Sequence, residues 1–238
     1  MNIGYTLYEG ISYLDYLTPV VCIMTMHSDN TATGNMVQTW ILRQDMPPVD
    51  AVKEDKDEAI CGECIHRTLR TCYVLVWQGP RSVWKTWKEG GYASVTQKIL
   101  KRRLVGRSLR IGAYGDPAAI PTEVWDEVVP HAKEITGYTH HWHKRPHLAR
   151  YCMASVESAE ERLEAKKLGF RTFRVLKKTE ERIRSEEAQC PKSEEAGKIL
   201  TCLECGYCNG NLTGLSGDVA IYVHGKQKKR YEVAKQQV

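Results

Sequence analysis

Apolar residues in this chain come in short β-rich runs separated by polar stretches of helical character. "TGNMVQTWILR" predicts a strand, and the proline-broken, polar "QDMPPVDAVKEDKDEA" predicts the connection after it. A rhythm then sets in. "TCYVLVWQGP" predicts a strand ending at Gly79 and Pro80, and "RSVWKTWKEGGYASVTQKILKRRL" a helical stretch behind it. "SLRIGAYGDP" and "AAIPTEVWDEVVPHAKEI" repeat the pairing. "TGYTHHW" and "ARYCMASVES" are two further short strands. Helix "AEERLEAKKLG", strand "FRTFRVL", helix-like "TEERIRSEE" and strand "DVAIYVHG" follow. Ser158 with Glu161 three residues later reads as a capping box, and Gly169 as the helix stop.

Strands alternating with helices predict βαβ units on a parallel sheet. The expected fold class is therefore α/β, a parallel βα-barrel or barrel-like sheet carrying metal-binding cysteine loops. Residues 1–60 are expected to form an N-terminal segment packing on the main domain, 61–225 the barrel-like domain, and 226–238 a basic tail. In such folds chemistry gathers at the carboxyl ends of the strands, here Gln78, Asp116, His140 with His141, Ser155 with Glu157, Cys190 and His224.

Hydrophobic residues make up 42% of the 238 positions and charged residues 26%, which disfavours a disordered chain. No apolar run reaches the roughly 18 residues of a membrane span, and the first residues lack a basic leader. No membrane partner is expected, and a cytoplasmic location is, the host cytoplasm if the chain is phage-encoded. The net charge of +5 is concentrated in "KILKRRLVGRSLR" and "GKQKKRYEVAK". Lys101, Arg102, Arg103, Arg107, Lys228, Lys229 and Arg230 could neutralise phosphates, making nucleic acid, DNA first, the expected partner, with plain solvated surface the alternative.

Nine cysteines in a cytosolic chain point to metal or redox work. Cys22 and Cys152 stand in apolar company and read as core. Cys202, Cys205 and Cys208 follow C-x2-C-x2-C spacing, with Cys190 upstream. Four thiolates suit tetrahedral zinc or a 4Fe-4S cluster, and spacing does not decide between them. Cys61, Cys64 and Cys72 form a second group with His66 nearby, either a separate site or part of a combined one. His224 is a candidate nitrogen ligand.

Asp116 in "RIGAYGDP" is a candidate base, nucleophile or ligand, with a turn or helix cap as the alternative. His140 and Glu157 are candidate catalytic partners. His141-Trp142-His143 matches the His-hydrophobic-His pattern of rolling-circle nicking enzymes, with Tyr231 and Lys235 at nucleophile spacing.

Several stretches, "AICGECIHR", "CYVLVWQGPRSVW", "LRIGAYGDPAAIP", "TGYTHHWH" and the cysteine loop through "YVHG" among them, resemble a family of uncharacterised tailed-phage and prophage proteins over most of residues 34–225. The layout also resembles tRNA-guanine transglycosylases and phage enzymes that insert 7-deazaguanines into DNA. That resemblance implies a βα-barrel, Asp116 as a catalytic aspartate, and zinc on Cys202, Cys205, Cys208 and His224. The cysteine spacing departs from that family's at its first step, and Cys190 is an additional thiol. The expected function is a metal-binding, phage-type enzyme acting on nucleic acid, most concretely by base exchange. The alternatives are a non-catalytic zinc-containing nucleic-acid-binding protein, a nicking endonuclease and an iron–sulfur enzyme.

Overall fold

The computed structural model describes residues 4–197, 199–212, 214, 217–224 and 227–234. In chain order the strands are β1 (Gly4–Ile11), β2 (Pro19–Thr25), β3 (Val37–Arg43), β4 (Ala93–Ser94), β5 (Ser108–Tyr114), β6 (Glu134–Thr139), β7 (Met153–Val156), β8 (Thr172–Leu176), β9 (Glu187–Gln189) and β10 (Asp218–Tyr222). They form one open sheet of ten described strands in the order β4-β1-β2-β3-β5-β6-β7-β8-β10-β9. β2 runs antiparallel to β1 and β3. From β3 across to β9 the pairings are parallel.

The helices are α1 (Pro48–Lys53), α2 (Glu58–Cys61), α3 (Ile65–Thr68), α4 (Gly79–Lys88), α5 (Gln97–Leu104), α6 (Thr122–Val128), α7 (Ala159–Lys167), α8 (Cys202–Cys205) and α9 (Lys228–Ala234). α7 packs on β7 and β8, and α1 and α4 on β3. Among the described residues no helix is long and apolar enough to cross a membrane.

The parallel α/β expectation is met, but the barrel does not close. Closure would require β3 to pair with the far strand, and that side of β3 is taken by β2. For the same reason residues 1–60 are not a segment laid on another domain. Val20–Met24 in β2 are wholly buried and belong to the same core cluster as Leu109, Trp125 and Ala154. Within the expected basic tail the described residues Lys228–Ala234 form α9, which buries Tyr231. Cys22 and Cys152 are wholly buried, as the apolar company around them predicts.

Two further elements differ. "TCYVLVWQGP" is irregular rather than a strand, since β3 already has a neighbour on each side. Its Val76 enters the core from the turn before α4. "TEERIRSEE" is not a helix. The Glu180 carboxylate accepts from Lys177 N–H at 2.6 Å and the Glu187 carboxylate from Ile183 N–H at 2.8 Å, giving the backbone local partners other than a helical ladder.

Candidate metal centre

Three adjacent parallel strands deliver three side chains to one edge. β5 leads into Asp116, β6 into His140 and β7 into Glu157. Both Asp116 oxygens are engaged. One accepts from Ala118 N–H at 2.9 Å and Thr139 Oγ1–H at 2.7 Å, and the other from His140 N–H at 2.8 Å. Asp116 thus holds the end of β6 in place, the capping alternative for this residue. Gly115 makes the approach possible: its φ is +79°, and a Cβ there would sit 2.8 Å from the Ile41 carbonyl oxygen. Glu157 is set by the expected cap of α7. Ser158 accepts from Glu161 N–H at 3.1 Å, while the Glu161 carboxylate reaches past Ser158 to accept from Glu157 N–H at 2.7 Å.

The fourth participant, His66, comes from α3, far away in sequence. Its Nδ1 lies 2.9 Å from Thr71 Oγ1 and its Nε2 3.3 Å from Glu157 Oε1. The His140 ring meets it edge-on at 5.5 Å between centroids. One potential ligand atom each from His66, His140 and Glu157 all lie within 4.8 Å of one another, the single such grouping of three among the described residues. His140 Nε2 is buried and has no hydrogen-bond partner there. On the other side the Tyr231 hydroxyl donates to Glu157 Oε2 at 2.8 Å, and its ring stacks on His66. Burial pushes the Glu157 carboxyl up. The His66 hydrogen bond, the two nearby imidazoles and the Tyr231 hydrogen bond outweigh that and leave it below the ordinary range. Burial first, and then the neighbouring Glu157 carboxylate, push the Tyr231 phenol far up, so it serves as a donor.

Both cysteine groups assemble. Cys61, Cys64 and Cys72 lie close enough for each thiol to sense the others' charge, and Cys64 also senses Glu157. Burial pushes the Cys64 thiol up to about 12, against the amides of Arg67 and His66, which donate to it. Cys190, Cys202, Cys205 and Cys208 line one cavity of about 180 Å³. Its lining includes the alternate residues Thr136 and Tyr138 of β6, and Val219 of β10. Thr201 and Glu204 form a reciprocal capping box on the one-turn α8 that separates Cys202 from Cys205. His224 does not line this cavity; its Nδ1 lies 3.2 Å from the Tyr222 carbonyl oxygen.

The rings of His141 and His143 lie 6.3 Å apart between centroids. His141 Nε2 lies 3.1 Å from the Cys61 carbonyl oxygen, and His143 Nε2 3.7 Å from Glu63. Tyr231 keeps company with His66 and Glu157. Lys235 lies outside the described residues. The basic residues separate as well. Lys101, Arg102 and Arg103 in the last turn of α5, and Arg107 after it, lead into the amino end of β5, away from the carboxyl edge. Arg103 donates to the Tyr5 hydroxyl at 3.0 Å. Lys228, Lys229 and Arg230 share α9 with Tyr231 and so flank the site.

Sequence reasoning placed His66 only as a possible ligand beside the first cysteines, and it missed Tyr231 as the partner of Glu157. The available signal was His66 lying two residues after Cys64. Gly62 ties this loop to the site. Its φ is +54°, and a Cβ would lie 2.2 Å from both Cε1 and Nε2 of the buried His141. Gly62→Ala is expected to cost about 2–3 kcal/mol through overpacking and backbone strain. A urea midpoint equal to that of the unsubstituted protein would refute this packing.

No family model, curated protein or solved structure matches the chain. The site's own geometry therefore carries the functional reading.

Proposed function

We propose that the chain is a metal-containing enzyme acting on nucleic acid, with its reaction centre where His66, His140 and Glu157 meet. The observation that carries this is the convergence of two imidazoles and one ionised carboxylate, from three separate segments, at the carboxyl edge of a parallel sheet. A divalent cation on such a set keeps open positions at which it polarises a substrate oxygen or activates water. Thr71 orients His66 and Tyr231 orients Glu157, the outer hydrogen bonds that a metal site needs. Asp116 acts as a positioning residue through Thr139 and His140. Its engaged oxygens favour metal-assisted hydrolysis or base exchange over attack by Asp116 itself. Lys228, Lys229 and Arg230 supply phosphate contacts beside the site, and the four-cysteine cavity anchors the neighbouring loop on its own metal group.

Mass spectrometry of DNA and RNA oligonucleotides after incubation with protein loaded with Zn²⁺, Mn²⁺ or Fe²⁺ tests this. The expected result is a changed base mass or a cleavage product that disappears with His140→Ala. Binding without any mass change, under every metal, would identify a nucleic-acid-binding protein instead.

A further inference from the structure

We infer that the cavity lined by Cys190, Cys202, Cys205 and Cys208 holds a polynuclear iron–sulfur cluster rather than a single zinc ion. Tetrahedral zinc, with Zn–S bonds of about 2.3 Å, requires its four sulfurs about 3.8 Å apart. Here no three of the four sulfurs all lie within 4.8 Å of one another, although all four cysteines line one cavity. A cluster accounts for both facts, because iron and bridging sulfide stand between each pair of thiolates.

The lining fits a cluster with net negative charge. Lys192 and Ser193 amides donate to Cys190, and the Tyr138 hydroxyl donates to Cys208. The buried Arg110 guanidinium, which also donates to Tyr73, and Lys192 both lie close enough to Cys202 to oppose the burial that pushes its thiol up. The Thr136 hydroxyl lines the cavity, buried and without a hydrogen-bond partner among the described residues, a donor available to a bridging sulfide. Hydrogen bonds to sulfur and burial are the means by which proteins set a cluster's potential. Cys205 also lines an adjoining, more polar cavity of about 440 Å³, which places one corner of the cluster toward the outside.

The test is anaerobic purification of the full chain, followed by reconstitution with ferrous iron and sulfide under reductant. The expected result is brown protein with about four irons and four sulfides at this site. That content should fall by about four of each in Cys190→Ser and Cys208→Ser and persist in Cys61→Ser. Should the serine variants fail to fold, Tyr138→Phe decides: it should keep its iron and sulfide but shift the midpoint of the reduced cluster's paramagnetic signal. Colourless protein with one zinc at this site and no sulfide would overturn the inference. So would a cluster that survives loss of Cys190 and Cys208, or an unshifted midpoint in Tyr138→Phe. Glu157→Gln should leave the sulfide content unchanged, because only the cluster takes up sulfide, so the cluster and the His66 centre can fail independently.

Discussion

Titrated with Mn²⁺, the Glu157→Gln protein should bind about 100-fold more weakly than the unsubstituted chain, a loss of roughly 2.7 kcal/mol. Glu157 is the one anion in the cluster with His66 and His140, and its carboxyl is held ionised despite being largely buried. The amide occupies nearly the same volume but brings no charge, so the remaining donors are two neutral imidazoles. Mn²⁺ is the appropriate probe because it prefers oxygen and nitrogen, which keeps the cysteine groups from masking the result. His140→Ala should match the loss. Tyr231→Phe, which removes the hydrogen bonds to Glu157 Oε2 and to the Val175 carbonyl oxygen, should lose about tenfold. Free Mn²⁺ measured by its paramagnetic resonance reads all three. Undiminished affinity in Glu157→Gln, with thermal unfolding unchanged, would remove this site from consideration.

Arg162→Met should lower folding stability by about 3 kcal/mol. The Arg162 guanidinium is almost completely buried and lies 2.6 Å from Asp218, whose side chain is itself wholly buried, and it also pairs with Glu186. Methionine fills the space but leaves Asp218 short of compensation. Lys166, 3.2 Å from Asp218, and Arg174, bidentate on the buried Glu187 at 2.7 Å, keep the loss near the lower end of the range for a broken buried pair. The network joins α7 to β9 and β10, the strands that present Cys190 and Val219 to the cysteine cavity. Urea unfolding of the reconstituted protein measures the loss, and a change below about 1 kcal/mol would show that the buried charges are satisfied without Arg162.

Much of the parallel half of the sheet was legible because its signals are local. Period-two apolar runs marked β3, β5, β7, β8 and β10, and the Ser158 cap marked the start of α7. Strand ends could be read directly, so Asp116, His140 and Glu157 were placed at one edge before any coordinates. The misread stretches have non-local causes. "TCYVLVWQGP" has the β propensity of a strand, but β3 has no unpaired side to offer it. β1 and β2 went unrecognised in the leading segment, and they are what keeps the sheet open.

The amino-acid order alone determined which residue types lie at the strand ends and which four cysteines share a loop, because turn chemistry, alternation and spacing act over a few residues. Only the tertiary structure decided that His66 reaches across to His140 and Glu157 and that Tyr231 steadies Glu157. It also decided that Asp116 serves the fold at this edge and that Cys190, Cys202, Cys205 and Cys208 line one cavity. Each of these is a distance between segments remote in sequence, set by how the sheet and its loops pack.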